Sequence, residues 1–185
     1  MTFSLIVALA EGFEEIEAVT PIDILRRAGL KVTTVGISGK IVTGSHGIAI
    51  TADQTWDEVA NTTPDALLLP GGMPGSKNLG EHAGLKQMAE RVTASDGWLA
   101  AICAAPAFTL GAWGLLSKRN ATCYPGCETQ FPADVNHRTD AVVVDGKIVT
   151  GCGPGAAFDF SLKLAELLVS PETAENLRSQ MQYSR

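Results

Sequence analysis

Short apolar runs alternate along this chain with stretches of helical periodicity, and that alternation restricts the fold more than any other feature. Ser4–Ala10, Lys31–Ile37, Ala66–Leu69 and Trp98–Ile102 are rich in β-branched and aliphatic residues and read as buried strands. Between them, Glu14–Ala28 carries a broad apolar stripe (Ile16, Val19, Ile22, Ile24, Leu25), with Gly29 placed to end a helix. Trp56–Ala60, Leu85–Ala94 and Pro106–Trp113 read as further helices. Ile41–Thr43 and Ile48–Ala52 flank Gly44-Ser45-His46-Gly47 as a small β excursion, and Asp145-Gly146 joins Ala141–Val144 to Lys147–Thr150 as a hairpin. Helices over Ala156–Val169 and from Pro171 onward complete the pattern. Strands alternating with helices predict an α/β sandwich: a mostly parallel sheet with helices on both faces. Residues 1–185 read as a single domain without linker or repeat.

In such folds ligands bind beyond the carboxyl ends of the strands, and three turns fall there: Glu11–Glu17, Pro70–Gly75 and Ile102–Pro106. The third holds the most informative residue. Trp98–Ile102 runs into Cys103, then Ala104-Ala105-Pro106 opens a helix. A strand that turns sharply into a helix lifts one side chain out of the sheet edge, and free helix N–H groups favour thiolate over thiol. A buried structural cysteine is the competing reading of this segment. Glu17 lies one turn into the first helix, where a carboxyl facing the thiol can share its proton; helix solubility is the competing reading. Pro70-Gly71-Gly72 brings backbone close to the same edge, so Gly72 and Ala104 are the candidate oxyanion N–H donors.

Other motifs carry less. Gly151-Cys152-Gly153-Pro154-Gly155-Ala156 fits a dinucleotide pattern formally, but no later strand carries an acidic ribose ligand, so close loop packing is expected instead. Cys123 and Cys127 have a C-x₃-C spacing without a second ligand pair, and His137 stands alone, so no zinc site is expected. His46, His82 and His137 sit in polar loops; His46 is the one candidate to reach Cys103 by folding. The net charge of −6 and the lack of basic runs argue against nucleic acid or anionic membrane as partners. The apolar start is too short for an export signal, which places the four cysteines in a reducing, cytoplasmic setting.

Glu14-Glu15-Ile16-Glu17, Arg26-Arg27-Ala28-Gly29, Leu69-Pro70-Gly71-Gly72, Ala100–Pro106 and Gly153-Pro154-Gly155 occur in this order. With them the chain resembles the ThiJ/PfpI superfamily, in the branch of the human Parkinson-disease protein seven and the bacterial deglycase and chaperone YajL. The resemblance runs from Leu5 to about Leu168. It implies a flavodoxin-like three-layer sandwich, a homodimer, and a nucleophilic Cys103 kept as thiolate beside a protonated Glu17. It also implies an enzyme without cofactor or metal that acts on methylglyoxal, glyoxal or their protein and nucleotide adducts: a glyoxalase needing no glutathione, or a deglycase. The alternative it implies is a redox-responsive chaperone or sensor in which Cys103 is oxidised to a sulfinic acid without turnover. Two departures matter. Ala104 stands where protease-like members carry a histidine, which disfavours peptide hydrolysis. Tyr124 stands where the human relative has a histidine, and a phenol of pKa about 10 is a poor base at neutral pH. General-base duty then falls on Glu17, with Tyr124, Cys152, Gly153 and Pro154 as possible substrate-site residues.

Overall fold

Residues 3–184 are described by a computed structural model. In chain order its elements are β1 (Ser4–Leu9), α1 (Glu15–Arg27), β2 (Lys31–Gly36), β3 (Ile41–Thr43), β4 (Ala49–Thr51), β5 (Gln54–Thr55), α2 (Trp56–Val59), β6 (Ala66–Leu69), α3 (Gly75–Glu81), α4 (Ala83–Ala94), β7 (Trp98–Ile102), β8 (Asn120–Ala121), β9 (Asn136–His137), β10 (Val142–Asp145), β11 (Ile148–Gly151), α5 (Ala157–Leu168) and α6 (Pro171–Gln180). Successive side chains of a strand point to opposite faces, so a strand covered on both sides must be apolar throughout. β1 meets that condition: Leu5, Val7 and Leu9 join Ile24 and Leu25 of α1 and Phe160 and Leu164 of α5 in one core. Ile6 and Ala8 join Leu85, Met88 and Val92 of α4 in the other. Burying each of the larger side chains contributes roughly 1.5–3 kcal/mol.

The main sheet has seven strands in the order β10-β11-β7-β6-β1-β2-β5. All neighbours are parallel except β10, which the Asp145-Gly146 turn folds back antiparallel on β11. Helices cover both faces, and this is the flavodoxin-like sandwich expected from the sequence. From the central β1 the chain builds outward through β2 and β5, then returns to build the other half through β6, β7 and β11. The carboxyl ends of β1 and β6 therefore flank the switch point where α/β sheets bind ligands. Among the described residues no helix is long and apolar enough to cross a membrane.

Three details differ from the sequence expectation. Pro106–Gly111, expected as the start of an ordinary helix, is a π-helix. Ala112 N–H reaches back five residues to Ala107 O at 3.2 Å, a widened turn of the kind found at functional sites. α3 presses its backbone onto this turn, since a Cβ at Gly80 would stand 2.0 Å from Phe108 O. α3 itself, with glycine at positions 75 and 80, gave no helical signal. β5 is too short for a strand pattern.

Candidate active site

Three loops meet at the carboxyl ends of β1, β6 and β7, and the residues predicted from them come together. Cys103 follows β7 in the left-handed region (φ 64), unusual for a residue with a Cβ. Its backbone is fixed on both sides: its N–H donates to Gly151 O at 2.8 Å, and its carbonyl accepts from Tyr124 N–H at 2.8 Å. The side chain is 8% exposed. The strained turn, held by neighbouring strands, is what aims the sulfur at the loops.

Glu17, on the first turn of α1, is fully buried. Gly71 N–H donates to its Oε2 at 3.0 Å, and a Cβ at Gly71 would strike both this carboxyl and Cys103 Cβ, so the two acids are close neighbours. Among the described residues Oε1 meets no N–H or O–H donor, so ionisation would leave a poorly compensated charge in the interior. Burial foremost, and the nearby Glu14 charge, raise this carboxyl from 4.5 to about 7, against the hydrogen bonds from Cys103 and Gly71. Glu14 caps the helix by accepting from Glu17 N–H at 2.8 Å, and its own N–H donates to Gly71 O at 2.9 Å.

The Gly71-Gly72 pair is a steric requirement. A Cβ at Gly71 would lie 2.3 Å from Glu17 Oε2 and 2.5 Å from Cys103 Cβ. Gly72 adopts φ 89, and a Cβ there would strike Glu14 N at 2.4 Å. Freed of side chains, this loop brings Gly72 N–H near enough to the sulfur to favour its charged form, as Ala104 N–H also does. The two predicted oxyanion donors thus converge, with the sulfur as their partner in this state.

The expectation of a thiol made acidic by a helix start is reversed in direction. Burial first, then the charge and hydrogen bond of Glu17, push the Cys103 thiol up, while Gly72 and Ala104 N–H oppose them. The physical reason is that two buried acids in contact cannot both ionise, so the second proton is held strongly. The Cys103–Glu17 pair behaves as one unit in which at most one group ionises near neutral pH, with backbone N–H groups of Gly71, Gly72 and Ala104 favouring that charge.

Tyr124, Cys152, Gly153 and Pro154 line an open hollow of about 280 Å³, and their segments adjoin the Cys103 elbow, whose backbone bonds Tyr124 N–H and Gly151 O. The Gly151–Ala156 loop packs closely as expected: a Cβ at Gly151 would meet Ile102 Cγ1 at 2.9 Å. His46 does not approach Cys103. It pairs with Glu15, its Nδ1 2.8 Å from Oε2, and its side chain is 71% exposed. Sequence reasoning missed Gly71 as a close neighbour of both acids. Its signal was the double glycine, of which only the second was assigned.

With this geometry in hand, the chain was compared with known proteins. The DJ-1/PfpI family model matches residues 4–167. The chain is 38% identical over 174 residues to Protein DJ-1 homolog B of Arabidopsis thaliana, of whose length it spans only 40%. It is 35% identical to the Parkinson disease protein 7 homolog of Danio rerio, with 94% of each chain covered. It is 34% identical to the glutathione-independent glyoxalase DJR-1.2 of Caenorhabditis elegans, covering 94% of this chain and 92% of the relative. The solved structure of oxidized Toxoplasma gondii DJ-1 superposes with a TM-score of 0.95 at 40% identity, with both chains fully covered. The Cys103 elbow, its acidic neighbour and the sheet that presents them are accordingly those of a chain that belongs to the DJ-1/PfpI family.

Proposed function

We propose that this protein is a cysteine-dependent, glutathione-independent glyoxalase, acting on methylglyoxal, glyoxal or their adducts on protein and nucleotide groups. The observation that carries this reading is the contact of Cys103 with a buried carboxyl raised to about 7, beneath converging backbone N–H groups. One of the relatives is named for this activity. In the first step Glu17, as carboxylate, takes the Cys103 proton while the sulfur adds to the aldehyde carbon; a carbon–sulfur bond forms, the carbonyl π bond opens, and the proton passes on to the carbonyl oxygen. The sulfur's charge passes to oxygen as the bond forms, so Gly72 and Ala104 N–H groups follow it to the developing alkoxide. Glu17, again a carboxylate, removes the proton from that carbon and returns it to the neighbouring one, while the hydroxyl proton moves to the neighbouring oxygen. The result is a thioester of the 2-hydroxy acid, which water cleaves to lactate or glycolate and free Cys103. Overall one water is added and no outside oxidant is needed. The test is turnover of methylglyoxal by Cys103→Ala: loss of all enzymatic lactate is expected, and turnover at the parent rate would overturn the reading.

A second reading has its own support. A sulfur bounded by Gly72 and Ala104 N–H and by a protonated carboxyl is also fitted to hold the oxygens of a sulfinate formed by peroxide. In that case peroxide adds the mass of two oxygens to the parent and not to Cys103→Ala, and the oxidised protein suppresses client aggregation better than the reduced one. We also propose that the chain forms a homodimer through α1. Ile16 and Val19 are 54% and 49% exposed there, and Ile48, 58% exposed, is tied to α1 by its N–H bond to Glu15 Oε1 at 3.3 Å. Light scattering should give twice the chain mass, and Ile16→Asp should halve it.

A further inference from the structure

A second set of chemically active side chains meets away from the Cys103–Glu17 pair. β8 pairs in parallel with β9, aligning Asn120 with Asn136 and Ala121 with His137. Arg138 N–H continues the pairing by donating to Ala121 O at 2.8 Å. This register carries His137 back beside the segment that leaves β8. There a Cys123 Sγ, a Glu128 carboxylate oxygen and a His137 ring nitrogen all lie within 4.8 Å of one another. The expectation that His137 stands alone fails, because strand pairing brings it to Cys123 and the acidic partner Glu128 was not considered.

Each of the three is positioned by the backbone around it. Cys123 is 3% exposed, Glu128 half-buried and His137 exposed, so the group opens from the interior to the surface. Glu128 Oε2 accepts from Gly126 N–H at 2.6 Å, and Gly126 holds φ 95, a conformation that suits glycine. Cys127 N–H donates to Tyr124 O at 2.9 Å, closing the turn that leads to Glu128. The Phe131 ring stands beside the imidazole, with centroids 6.1 Å apart. By contrast, the grouping of Glu14, Glu15 and His46 is already committed internally. Glu15 accepts from His46 and Ile48 N–H and pairs with the His46 ring.

We propose that Cys123, Glu128 and His137 form a binding site for a divalent, borderline-soft transition metal ion, with Zn²⁺ the best match. One thiolate, one imidazole and one carboxylate are a zinc donor set, and two negative ligands balance the ion's charge. Donor atoms around zinc stand roughly 3.3–3.8 Å apart, given bonds of about 2.0–2.3 Å, so side-chain rotation of about an ångström closes the set. Three protein ligands leave a fourth position open on the exposed side, as in sites that bind water or a further ligand. On binding, a metal–sulfur bond replaces the Cys123 S–H bond and the proton leaves to solvent. The segment so anchored is bonded directly to the elbow, since Tyr124 N–H donates to Cys103 O.

The test uses Co²⁺ as a coloured substitute for Zn²⁺, in the Cys103→Ala protein so that the elbow thiol does not compete. One equivalent is expected to raise a sulfur-to-cobalt charge-transfer band that Zn²⁺ removes. His137→Ala and Glu128→Gln should each weaken binding by roughly tenfold or more, and Cys123→Ser should abolish the band. Zn²⁺ should also raise the melting temperature of the Cys103→Ala parent and leave that of His137→Ala unmoved. The exposed His137 keeps the test valid if Cys123→Ser does not fold. Failure of Co²⁺ to give the band, its persistence in folded Cys123→Ser, or equal affinity in His137→Ala and the parent would each overturn the proposal. None of these outcomes bears on the turnover assay, so the two readings stand or fall separately.

Discussion

Glu15 and Glu17 lie two residues apart on the first turn of α1, both are buried, and their acidities move in opposite directions. For each, burial is the largest influence and raises the pKa. Glu15 nevertheless falls from 4.5 to about 2, because the His46 side chain and the N–H groups of His46 and Ile48 outweigh burial. The same contact raises the pKa of His46, first through the hydrogen bond and then through the Glu15 charge. Glu17 rises to about 7 because its bonds from Cys103 and Gly71 do not offset burial and the Glu14 charge. Burial alone therefore does not decide whether a carboxyl ionises. The number and kind of donors turned toward it decide, and donors are set by which loop folds over which residue.

The contrast can be broken most severely at Glu17. Glu17→Gln keeps the shape and removes the titrating proton, so methylglyoxal turnover should fall by about 10²–10⁴-fold. The same change at Glu15 should leave most of the turnover in place, and equal losses would erase the distinction. Gly71→Ala comes next. Its Cβ would fall 2.3 Å from Glu17 Oε2, so a loss of roughly 1–3 kcal/mol is expected from overpacking, measured by denaturant unfolding together with reduced turnover. Alanine accepted at no loss would mean the loop is free to retreat.

The pH dependence of stability sharpens the contrast further, since its sign differs for the two residues. Glu17 binds a proton more tightly folded than unfolded, so its contribution is complete below 4.5 and lost as pH rises through about 7. At about 1.4 kcal/mol per unit the loss is on the order of 3 kcal/mol at most. Glu15 binds its proton less tightly when folded, so its contribution is present above 4.5 and lost as pH falls toward 2. Unfolding curves of Glu17→Gln and Glu15→Gln across that range should flatten on the neutral and acid sides respectively. Flattening on the same side would show that one environment governs both.

Much of this architecture was legible in the chain, because buried parallel strands are apolar on both faces and stand out as unbroken runs. Ser4–Ala10, Ala66–Leu69 and Trp98–Ile102 were read closely for that reason, and Cys103 and Glu17 followed from the ends of those runs. What stayed hidden depends on contacts between distant segments. His46 was expected in polar surroundings, but the loop that returns it to Glu15 lies 31 residues on. The Cys123–Glu128–His137 group arises from a two-residue strand pairing too brief for any pattern. The π-turn at Pro106–Gly111 lies against α3 at Phe108, and α3 itself carries two glycines that conceal it. The direction of the Cys103 shift was misread because the helix start was expected to outweigh burial, and the shared proton was placed on Glu17 when burial holds it on the sulfur.

Cys103 shows only 8% of its surface, and the acid beside it shows none. Under the proposed function, so little exposed surface should select reactants by girth. A slim terminus such as an aldehyde or a peroxide can enter end-on, whereas a bulky reactant must offer its damaged group on a protruding stalk. Preference among carbonyl compounds should then follow the cross-section of the reacting end more closely than the size of the molecule behind it.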